Sequence, residues 1–243
     1  MKTILLTGCS SGIGKETALL LLEKGYSVIG ISRRSCPFFA EHKNFHHFSI
    51  DLFSLNNLAV HLKKIEQQHP QIDGIICNAG KGYFGHLEEL SSQNIRALVD
   101  LNFLSPVLII RHFLPLFKKR KNGEIIFIGS TAASKEQKQN SIYGATKAAL
   151  SSFAASLREE CRKANVRVHL ISPGIVRTPF YSQLSFSPSV KEDASLLPID
   201  IAQLIVMILE LPSRIVWEEI SLSPIQKELQ FLSHHKSPEK VEE

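Results

Sequence analysis

Short apolar runs alternate with longer amphipathic segments along most of the chain. The runs are rich in β-branched residues and lie at Thr3–Thr7, Ser27–Ser32, His46–Ile50, Gly74–Cys77, Glu124–Gly129 and Arg167–Ser172. Between them, apolar positions recur with helical spacing at Lys15–Lys24, Leu55–Gln68, Gln93–Lys119 and Ile142–Ala164. Strands that alternate with helices in this way predict an α/β fold, in which a parallel sheet carries helices on both faces.

The pattern predicts one domain that covers residues 1–232. The 243-residue chain is long enough for a sizeable core, and it shows no repeat, linker or low-complexity block. Apolar residues near Trp217–Leu222 predict a seventh strand. From Ser233 onward the chain is polar and has no apolar period, so we expect residues 233–243 to form a poorly packed polar tail.

Composition and charge exclude several classes of partner. The chain is 44% hydrophobic and 21% charged with a net charge of +5, as in ordinary globular proteins. Basic and aromatic residues do not cluster together, so we expect no nucleic-acid partner. The N-terminus has no secretory segment, and prolines or charges interrupt the apolar stretches. We therefore expect a cytoplasmic protein with no membrane partner.

The four cysteines do not have the spacing of a metal or disulfide framework. Cys9, Cys36, Cys77 and Cys161 are scattered, without a C-x-x-C pair. This spacing predicts no zinc site and no bound metal. We expect reduced thiols, as is usual in the cytosol.

A glycine-rich segment, Thr7–Gly14, joins the first predicted strand to the first helix. Glycines there permit a tight turn and the close approach of a pyrophosphate, while the helix N-terminus offers N–H groups and partial positive charge. A flexible turn would have similar residues, but this position favours a dinucleotide site. The predicted contacts are Gly8, Ser10, Ser11, Gly12, Ile13 and Gly14.

The end of the second strand predicts the choice of cofactor. An acidic residue at this position would bind the ribose 2′-OH of NAD, and the chain instead has Arg33 and Arg34. Two guanidinium groups suit a 2′-phosphate, although they could also be solvated loop arginines. We expect NADP(H) to be preferred over NAD(H), with Arg33 as the principal contact and Ser10 and Arg34 as secondary ones.

Tyr143 and Lys147 are four residues apart in a predicted helix, so their side chains share one face. A nearby ammonium lowers the pKa of a phenol, and a tyrosine tuned in this way can exchange a proton with a carbonyl or an alcohol. Helices also produce such pairs by chance, so the pair alone does not establish a catalytic site.

Taken together, the motifs resemble those of the short-chain dehydrogenase/reductase family, in its compact single-domain branch. The resemblance covers roughly residues 3–222, with T-G-x-x-x-G-x-G at Thr7–Gly14 and Y-x-x-x-K at Tyr143–Lys147. It implies a Rossmann-type doubly wound parallel sheet of about seven strands in the order 3-2-1-4-5-6-7. It also implies further cofactor contacts at Asp51, Leu52, Asn78, Ala79, Gly80, Tyr143, Lys147, Pro173, Gly174, Ile175 and Thr178.

The family mechanism implies four catalytic residues. Ser130, thirteen residues before Tyr143, would polarise the substrate oxygen, and Tyr143 would transfer the proton. Lys147 would lower the pKa of Tyr143 and hold the nicotinamide ribose. Asn102 would use its main-chain carbonyl to hold a water in a proton relay, since Pro106 has no N–H to return to that carbonyl. Alternatively, Pro106 begins a new helix after a break.

The substrate side of the sequence is less informative. The segment at about 179–197 is aromatic and rich in Ser and Pro, which predicts a mobile lid. Its residues Phe180, Tyr181 and Phe186 could line an apolar pocket or pack on the body of the domain. The seventh strand does not lead to the Asp-Gly-Gly turn of many acyl-carrier-protein ketoreductases in the family, which weakens that interpretation.

The resemblance predicts an NADP(H)-dependent oxidoreductase that interconverts a carbonyl and a secondary alcohol of a small molecule. The alternatives are a non-catalytic dinucleotide-binding redox sensor, a 3-oxoacyl-type ketoreductase, and an epimerase or dehydratase acting on nucleotide sugars. Family members commonly associate through the helices that contain Asn102 and Tyr143, so we expect a homodimer or homotetramer.

Overall fold

Seven strands form one parallel sheet in the computed structural model, which describes residues 1–135 and 138–231. The strand order is β3-β2-β1-β4-β5-β6-β8, so the predicted doubly wound Rossmann-type sheet is confirmed. Its strands are β1 (Thr3–Thr7), β2 (Ser27–Ser32), β3 (Phe45–Ser49), β4 (Gly74–Cys77), β5 (Gly123–Ile128), β6 (Val166–Pro173) and β8 (Glu219–Leu222). Two short strands, β7 (Phe186–Pro188) and β9 (Leu229–Phe231), form a separate two-stranded antiparallel sheet.

Six α-helices accompany the sheet within the described residues. They are α1 (Gly12–Glu23), α2 (Leu58–Gln68), α3 (Ser92–Val99), α4 (Ser105–Arg120), α5 (Ser141–Cys161) and α6 (Pro198–Glu210). Helices α1 and α6 share one apolar core with the sheet, and α2, α4 and α5 share the other.

The two cores explain why the strands are apolar along their whole length. Neighbouring residues of a strand face opposite sides of the sheet, and here both sides are covered. In β1, Leu5 therefore belongs to the α2–α4–α5 core, while Ile4 and Leu6 belong to the α1–α6 core. This arrangement leaves the carboxyl ends of the strands as the edge where loops converge.

Three details of the fold differ from the sequence-based expectation. Helix α1 begins at Gly12 rather than Lys15, because the glycine turn leads directly into the first helical turn. Helix α6 was not predicted; Asp200 caps it by accepting the N–H of Leu197 at 2.8 Å. The short strands β7 and β9 were also not predicted, because three residues are too few to show a period.

Helices α3 and α4 are joined by a turn of π-helix at Asp100–Leu104, so the chain runs helically from residue 92 to residue 120. Pro106 follows this turn, and the Ser105 hydroxyl donates to the carbonyl oxygen of Leu101 at 2.9 Å. The helix thus continues through this region rather than restarting after a break. By length and composition alone the run could cross a membrane, but 44% of its most apolar window is buried within the protein.

The predicted polar tail, residues 233–243, lies outside the described residues. The expectation that residues 1–232 form a single domain stays a prediction.

Candidate active site

The turn between β1 and α1 has the backbone geometry that only glycine adopts without strain. Gly8 and Gly12 have φ angles of 75° and 54°, in the left-handed region. Gly14 is required for another reason: a Cβ at this position would lie 2.1 Å from the carbonyl oxygen of Gly8. The first turn of α1 has no acidic residue and no side-chain cap. Its N–H groups can therefore bind an anion.

The segment after β4 is bound to this turn by two side chains. The hydroxyl oxygen of Thr7 accepts the N–H groups of both Asn78 and Ala79 at 3.0 Å. The side-chain amide of Asn78 donates to the carbonyl oxygens of Thr7 at 3.0 Å and of Gly8 at 3.3 Å. These bonds fix the position of Ala79 and Gly80 relative to the glycine turn.

The two arginines that follow β2 are exposed and point toward the same cleft. The guanidinium of Arg34 donates to the Ser11 hydroxyl at 3.0 Å. Arg33 lies over the ring of Phe53, 4.8 Å from its centroid, with Nε 3.8 Å from the Asp51 carboxylate. Arg34 thus lies beside the N-terminus of α1, and Arg33 lies beside the segment that follows β3.

Ser130, Tyr143 and Lys147 lie together at the carboxyl end of β5. Ser130 follows the strand, and its hydroxyl oxygen accepts the N–H of Ala132 at 3.1 Å, so its own O–H remains a donor. The ammonium of Lys147 donates to the carbonyl oxygen of Ile128 at 2.9 Å and lies 5.9 Å from the centroid of the Tyr143 ring. Tyr143 and Lys147 are only 8% and 4% exposed.

Burial dominates the titration of this pair. It raises the pKa of Tyr143 to about 12, against the opposing effect of a hydrogen bond with Ser130. It lowers the pKa of Lys147 to about 8, partly offset by the neighbouring Cys77. In the protein alone, loss of solvent around the phenolate therefore determines the direction of the Tyr143 pKa, and the expectation that Lys147 lowers this pKa stays a prediction.

Asn102 does not line the cleft, and its side chain instead holds two neighbouring segments of the site together. Its carboxamide accepts the N–H of Lys81 at 3.0 Å and donates to the carbonyl oxygen of Lys81 at 2.9 Å. It also donates to the hydroxyl oxygen of Thr146 at 3.2 Å. Asn102 therefore ties the segment after β4 to the turn of α5 that carries Lys147.

A cleft of about 690 Å³ brings the predicted residues together. It runs from the glycine turn to Tyr143, along the carboxyl ends of the strands. Two predicted residues do not line it: Gly14, which packs beneath the turn, and Asn102. The predicted residues that do line it are Gly8, Ser10, Ser11, Gly12, Ile13, Arg33, Arg34, Asp51, Leu52, Asn78, Ala79, Gly80, Ser130, Tyr143, Lys147, Pro173, Gly174, Ile175 and Thr178.

Aromatic side chains form the wall beside Tyr143. The ring centroids of Phe84 and Phe180 lie 5.2 Å and 5.9 Å from that of Tyr143, and Phe186 lies 5.2 Å from Phe84. Phe180 and Phe186 were candidates for such a pocket, whereas Phe84 was missed. It lies in a loop whose sequence, KGYFGH, has no motif to mark it.

Arg177 fastens the predicted lid to the body of the domain. Its guanidinium donates to the carbonyl oxygens of Ser189 and Lys191, at 3.2 Å and 3.0 Å, and to the hydroxyl oxygen of Ser195. Its N–H donates to the carbonyl oxygen of Leu196 at 2.8 Å. Instead of an aperiodic loop, the segment contains two short 3₁₀ turns, at Pro179–Tyr181 and Glu192–Ala194, and strand β7.

Fold and cleft together have the arrangement of Rossmann-type dinucleotide-binding proteins. Residues 2–187 match the family model described as short chain dehydrogenase. The chain belongs to the short-chain dehydrogenase/reductase family, as the resemblance predicted.

Relatives support this membership across nearly the whole chain. An uncharacterised oxidoreductase of Staphylococcus epidermidis is 28% identical over 228 residues, 92% of this chain and 97% of the relative. Carbonyl reductase family member 4 of Xenopus laevis is 30% identical over 223 residues, 87% of this chain and 92% of the relative. An alcohol dehydrogenase from the archaeon Thermococcus sibiricus, solved with 5-hydroxy-NADP, has a TM-score of 0.83 at 25% identity, with 94% and 98% of the two chains covered.

Proposed function

We propose that the protein is an NADP(H)-dependent oxidoreductase that interconverts a carbonyl and a secondary alcohol. The observation that carries this proposal is the position of Ser130, Tyr143 and Lys147 in the same cleft as the glycine turn. The relatives named carbonyl reductase and alcohol dehydrogenase support the same reaction class.

The cleft fits a dinucleotide along its length. The uncapped N-terminus of α1 and the turn at Gly8–Gly14 would hold the pyrophosphate. Asp51 and Leu52 would contact the adenine. Arg33 would be the principal contact of a 2′-phosphate, and Arg34 and Ser10 would be secondary contacts. When bound, the nicotinamide supplies or accepts the hydride.

The residues beside the nicotinamide end would handle the proton. Ser130, whose oxygen already accepts from Ala132, would donate its O–H to the carbonyl oxygen and polarise the carbonyl. Tyr143 would give the same oxygen its phenolic proton in reduction and take it back in oxidation. Its raised pKa keeps this proton in place at neutral pH. Lys147, fixed by the Ile128 carbonyl, would stabilise the phenolate that forms and bind the ribose hydroxyls.

The remaining contacts complete the site around these three groups. Asn78, Ala79 and Gly80 would pack against the cofactor from the β4 side, and Pro173, Gly174, Ile175 and Thr178 would orient the carboxamide from the β6 side. Asn102 would act as a positioning residue, since its carboxamide bonds to Lys81 and Thr146. We propose that residues 179–197 act as the substrate lid.

The wall beside Tyr143 favours a substrate with an apolar body. Phe84 and Phe180 lie beside the ring of Tyr143, and Phe186 packs against Phe84. A ketone or aldehyde with an aromatic or aliphatic substituent would bury that group against these rings.

The test is NADPH oxidation with a panel of aromatic and aliphatic ketones, aldehydes and quinones. We expect turnover with apolar carbonyl compounds, and a loss of kcat of about a hundredfold or more in Tyr143→Phe, because proton transfer alone contributes that much. Tyr26→Phe, outside the cleft, is the control and should keep full activity. A fully active Tyr143→Phe enzyme would contradict the mechanism.

The competing function, a redox sensor without turnover, predicts a different result from the same panel. A sensor would bind NADPH tightly and would oxidise it with none of the compounds. The presence of both Tyr143 and Lys147 in the cleft favours catalysis, since a sensor needs neither group.

A further inference from the structure

Two cysteines that are far apart in the sequence meet behind the cofactor cleft. The sulfur atoms of Cys9 and Cys36 are 3.5 Å apart, both residues are buried, and both thiols are free. His47 of β3 completes a group of three ligand atoms that all lie within 4.8 Å of one another. No local pattern in the sequence marks this cluster, because its members lie in three separate segments.

Ser32 supplies a fourth polar atom to the same point. Its hydroxyl oxygen lies 2.9 Å from Nε2 of His47, 3.5 Å from the sulfur of Cys9 and 3.6 Å from that of Cys36. Two sulfurs, one imidazole nitrogen and one oxygen therefore face each other across a space with the dimensions of a coordination sphere.

The distances match those of tetrahedral zinc more closely than those of a disulfide. With Zn–S bonds of about 2.3 Å, two thiolates on one tetrahedral ion lie roughly 3.8 Å apart. A disulfide requires the sulfurs to approach to about 2.05 Å. The sulfur of Cys9 is confined by its neighbours, since a Cβ built on Gly30 would lie only 2.7 Å from it. Small adjustments of side chains would suffice for zinc, whereas a disulfide needs a larger shift.

The cluster also differs from an ordinary apolar core. Cys9 and Cys36 pack among apolar residues, including Phe39, as small hydrophobic side chains do. An apolar core does not require an imidazole and a hydroxyl at the same point. Here the Ser32 hydroxyl contacts both sulfurs, and Nε2 of His47 lies 2.9 Å from that hydroxyl. Soft thiolates combined with imidazole are the donor set that zinc prefers.

We propose that Cys9, Cys36 and His47 form a binding site for Zn²⁺, with the Ser32 hydroxyl or a water as the fourth ligand. Binding would convert both thiols to thiolates and release their two protons to the solvent, with no change of oxidation state. His47 would present Nε2 to the ion in place of its hydrogen bond with Ser32. The burial that raises the pKa of Cys9 to about 12 opposes this release and limits the affinity.

The position of the site suggests what the metal would control. Cys9 lies within the glycine turn, and Cys36 follows Arg34 by two residues. The hydroxyl of Ser32 also donates to the carbonyl oxygen of Arg34 at 2.7 Å. A metal ion would join the pyrophosphate turn to the arginine loop, and would therefore alter the affinity for the cofactor. This consequence rests on the proposed cofactor site, whereas metal binding itself does not.

The test is titration of the reduced full-length protein with Zn²⁺ by calorimetry and with Co²⁺ by absorption. We expect one equivalent of metal, a thiolate-to-cobalt charge-transfer band, and binding weakened about tenfold or more in both Cys36→Ser and His47→Gln. Cys161→Ser, a buried cysteine of α5 outside the cluster, is the matched control and should bind as the wild type does. Circular dichroism of each variant verifies that it is folded.

Three outcomes would overturn the proposal. The first is that the protein with Co²⁺ shows no thiolate-to-cobalt charge-transfer band. The second is that wild type and folded Cys36→Ser bind zinc with equal affinity. The third is that the protein takes up no zinc and instead forms a Cys9–Cys36 disulfide under mild peroxide. The effect of zinc on cofactor affinity is measured separately, as the Kd for NADPH with and without Zn²⁺. We expect Zn²⁺ to change this Kd in wild type and in Cys161→Ser but not in Cys36→Ser. If NADPH does not bind at all, the proposed cofactor site is contradicted, and the metal titration still tests the zinc site independently.

Discussion

Arg33 has the environment of a phosphate-binding residue that is held before its ligand arrives. Its guanidinium is stacked on Phe53, and Asp51 lies 3.8 Å from its Nε. Stacking and pairing restrict the side chain, so less conformational entropy is lost when it binds an anion. We infer that this residue sets the choice between NADPH and NADH.

We expect Arg33→Ala to lower kcat/KM for NADPH by about 10- to 100-fold, the value of one charge-assisted hydrogen-bonded contact. The value for NADH should change little, because NADH has no 2′-phosphate. Steady-state kinetics with both cofactors measures the ratio, and Arg214→Ala, an exposed arginine after α6, is the control. An unchanged preference in Arg33→Ala would remove this residue from the cofactor site.

Lys147 makes the stability of the cofactor-free protein depend on pH. Its pKa is about 8 in the folded protein and 10.5 in an unconstrained chain. Between these values the unfolded chain binds more protons than the folded one, so stability rises with pH. The free-energy cost of burying the ammonium is fully present below pH 8, and it disappears above the pKa of 10.5 in the unfolded chain. Tyr143 and Cys77 stay protonated in the folded protein across this window, because burial raises the pKa of each to about 12. In the unfolded chain they begin to release protons, which opposes the gain from Lys147.

From pH 7.5 to 9.5 we expect this one group to add about 1 to 2 kcal/mol to the free energy of unfolding. Urea denaturation at the two pH values measures the difference. The change in the free energy of unfolding between the two pH values should be about 1 to 2 kcal/mol smaller in Lys147→Met than in wild type, whereas Lys163→Met, an exposed lysine, should match wild type. An equal gain in Lys147→Met would assign the effect to other groups.

At the scale of elements, a charged cluster joins β5 and β6 to the loop after α6. Glu124 accepts from Nη2 of Arg167 at 2.5 Å and lies 2.6 Å from Nε2 of His169, which is fully buried. Arg167 also donates to the carbonyl oxygens of Leu211, Pro212 and Ile215. The sequence showed these residues only as polar positions within apolar strands.

We expect Glu124→Gln to lower the free energy of unfolding by about 3 kcal/mol, because it leaves the buried cation of Arg167 without its counter-charge. Glu159→Gln is the matched control. It removes a carboxylate 2.8 Å from the exposed Arg162, and such a solvent-screened surface pair contributes little to stability. Equal losses in the two variants would show that burial does not strengthen the Glu124 cluster.

Elements were predictable where one physical rule determines the sequence. Strands buried on both faces must be apolar throughout, so runs such as Ser27–Ser32 and Gly74–Cys77 matched β2 and β4 residue for residue. The glycine turn was predictable because close backbone approach at Gly14 admits no side chain. Each of these rules acts within a few consecutive residues.

Contacts between distant segments were not predictable in this way. The meeting of Cys9 with Cys36 depends on the register of β2 and β3 and on the loop after Arg34, which no local pattern encodes. Phe84 lies against Tyr143 because the loop after β4 folds over the cleft. The raised pKa of Tyr143 has the same origin, since burial is a property of the assembled domain.

At the scale of the whole molecule, we propose a homodimer or homotetramer that associates through α4 and α5. The outward positions of α5 include Ser152, Ala155 and Ser156, which are exposed and small. Small side chains let a second helix approach closely, and a two-fold axis through this face would pair α5 with its own copy.

Light scattering should therefore give a multiple of the 27.2 kDa chain mass. Ala155→Arg should shift the protein toward monomer, because two arginines would meet at the axis. Ala40→Arg, which adds the same side chain at another exposed position, should leave the mass unchanged. A wild-type protein of 27.2 kDa would contradict the proposed assembly.

The π turn at Asp100–Leu104 has a consequence for how the chain can vary. A π turn is equivalent to one extra residue in an α-helix, and one residue corresponds to about 100° of rotation. The wider turn absorbs that extra residue without turning α3 relative to α4, so a deletion here would make the helix regular and change mainly the direction of the side chains within the turn. Asn102 would then point away from Lys81 and Thr146. The number of residues in this stretch is therefore under tighter constraint than the identity of their side chains. Single-residue deletions here should abolish activity, whereas most substitutions at exposed positions of α3 should be tolerated.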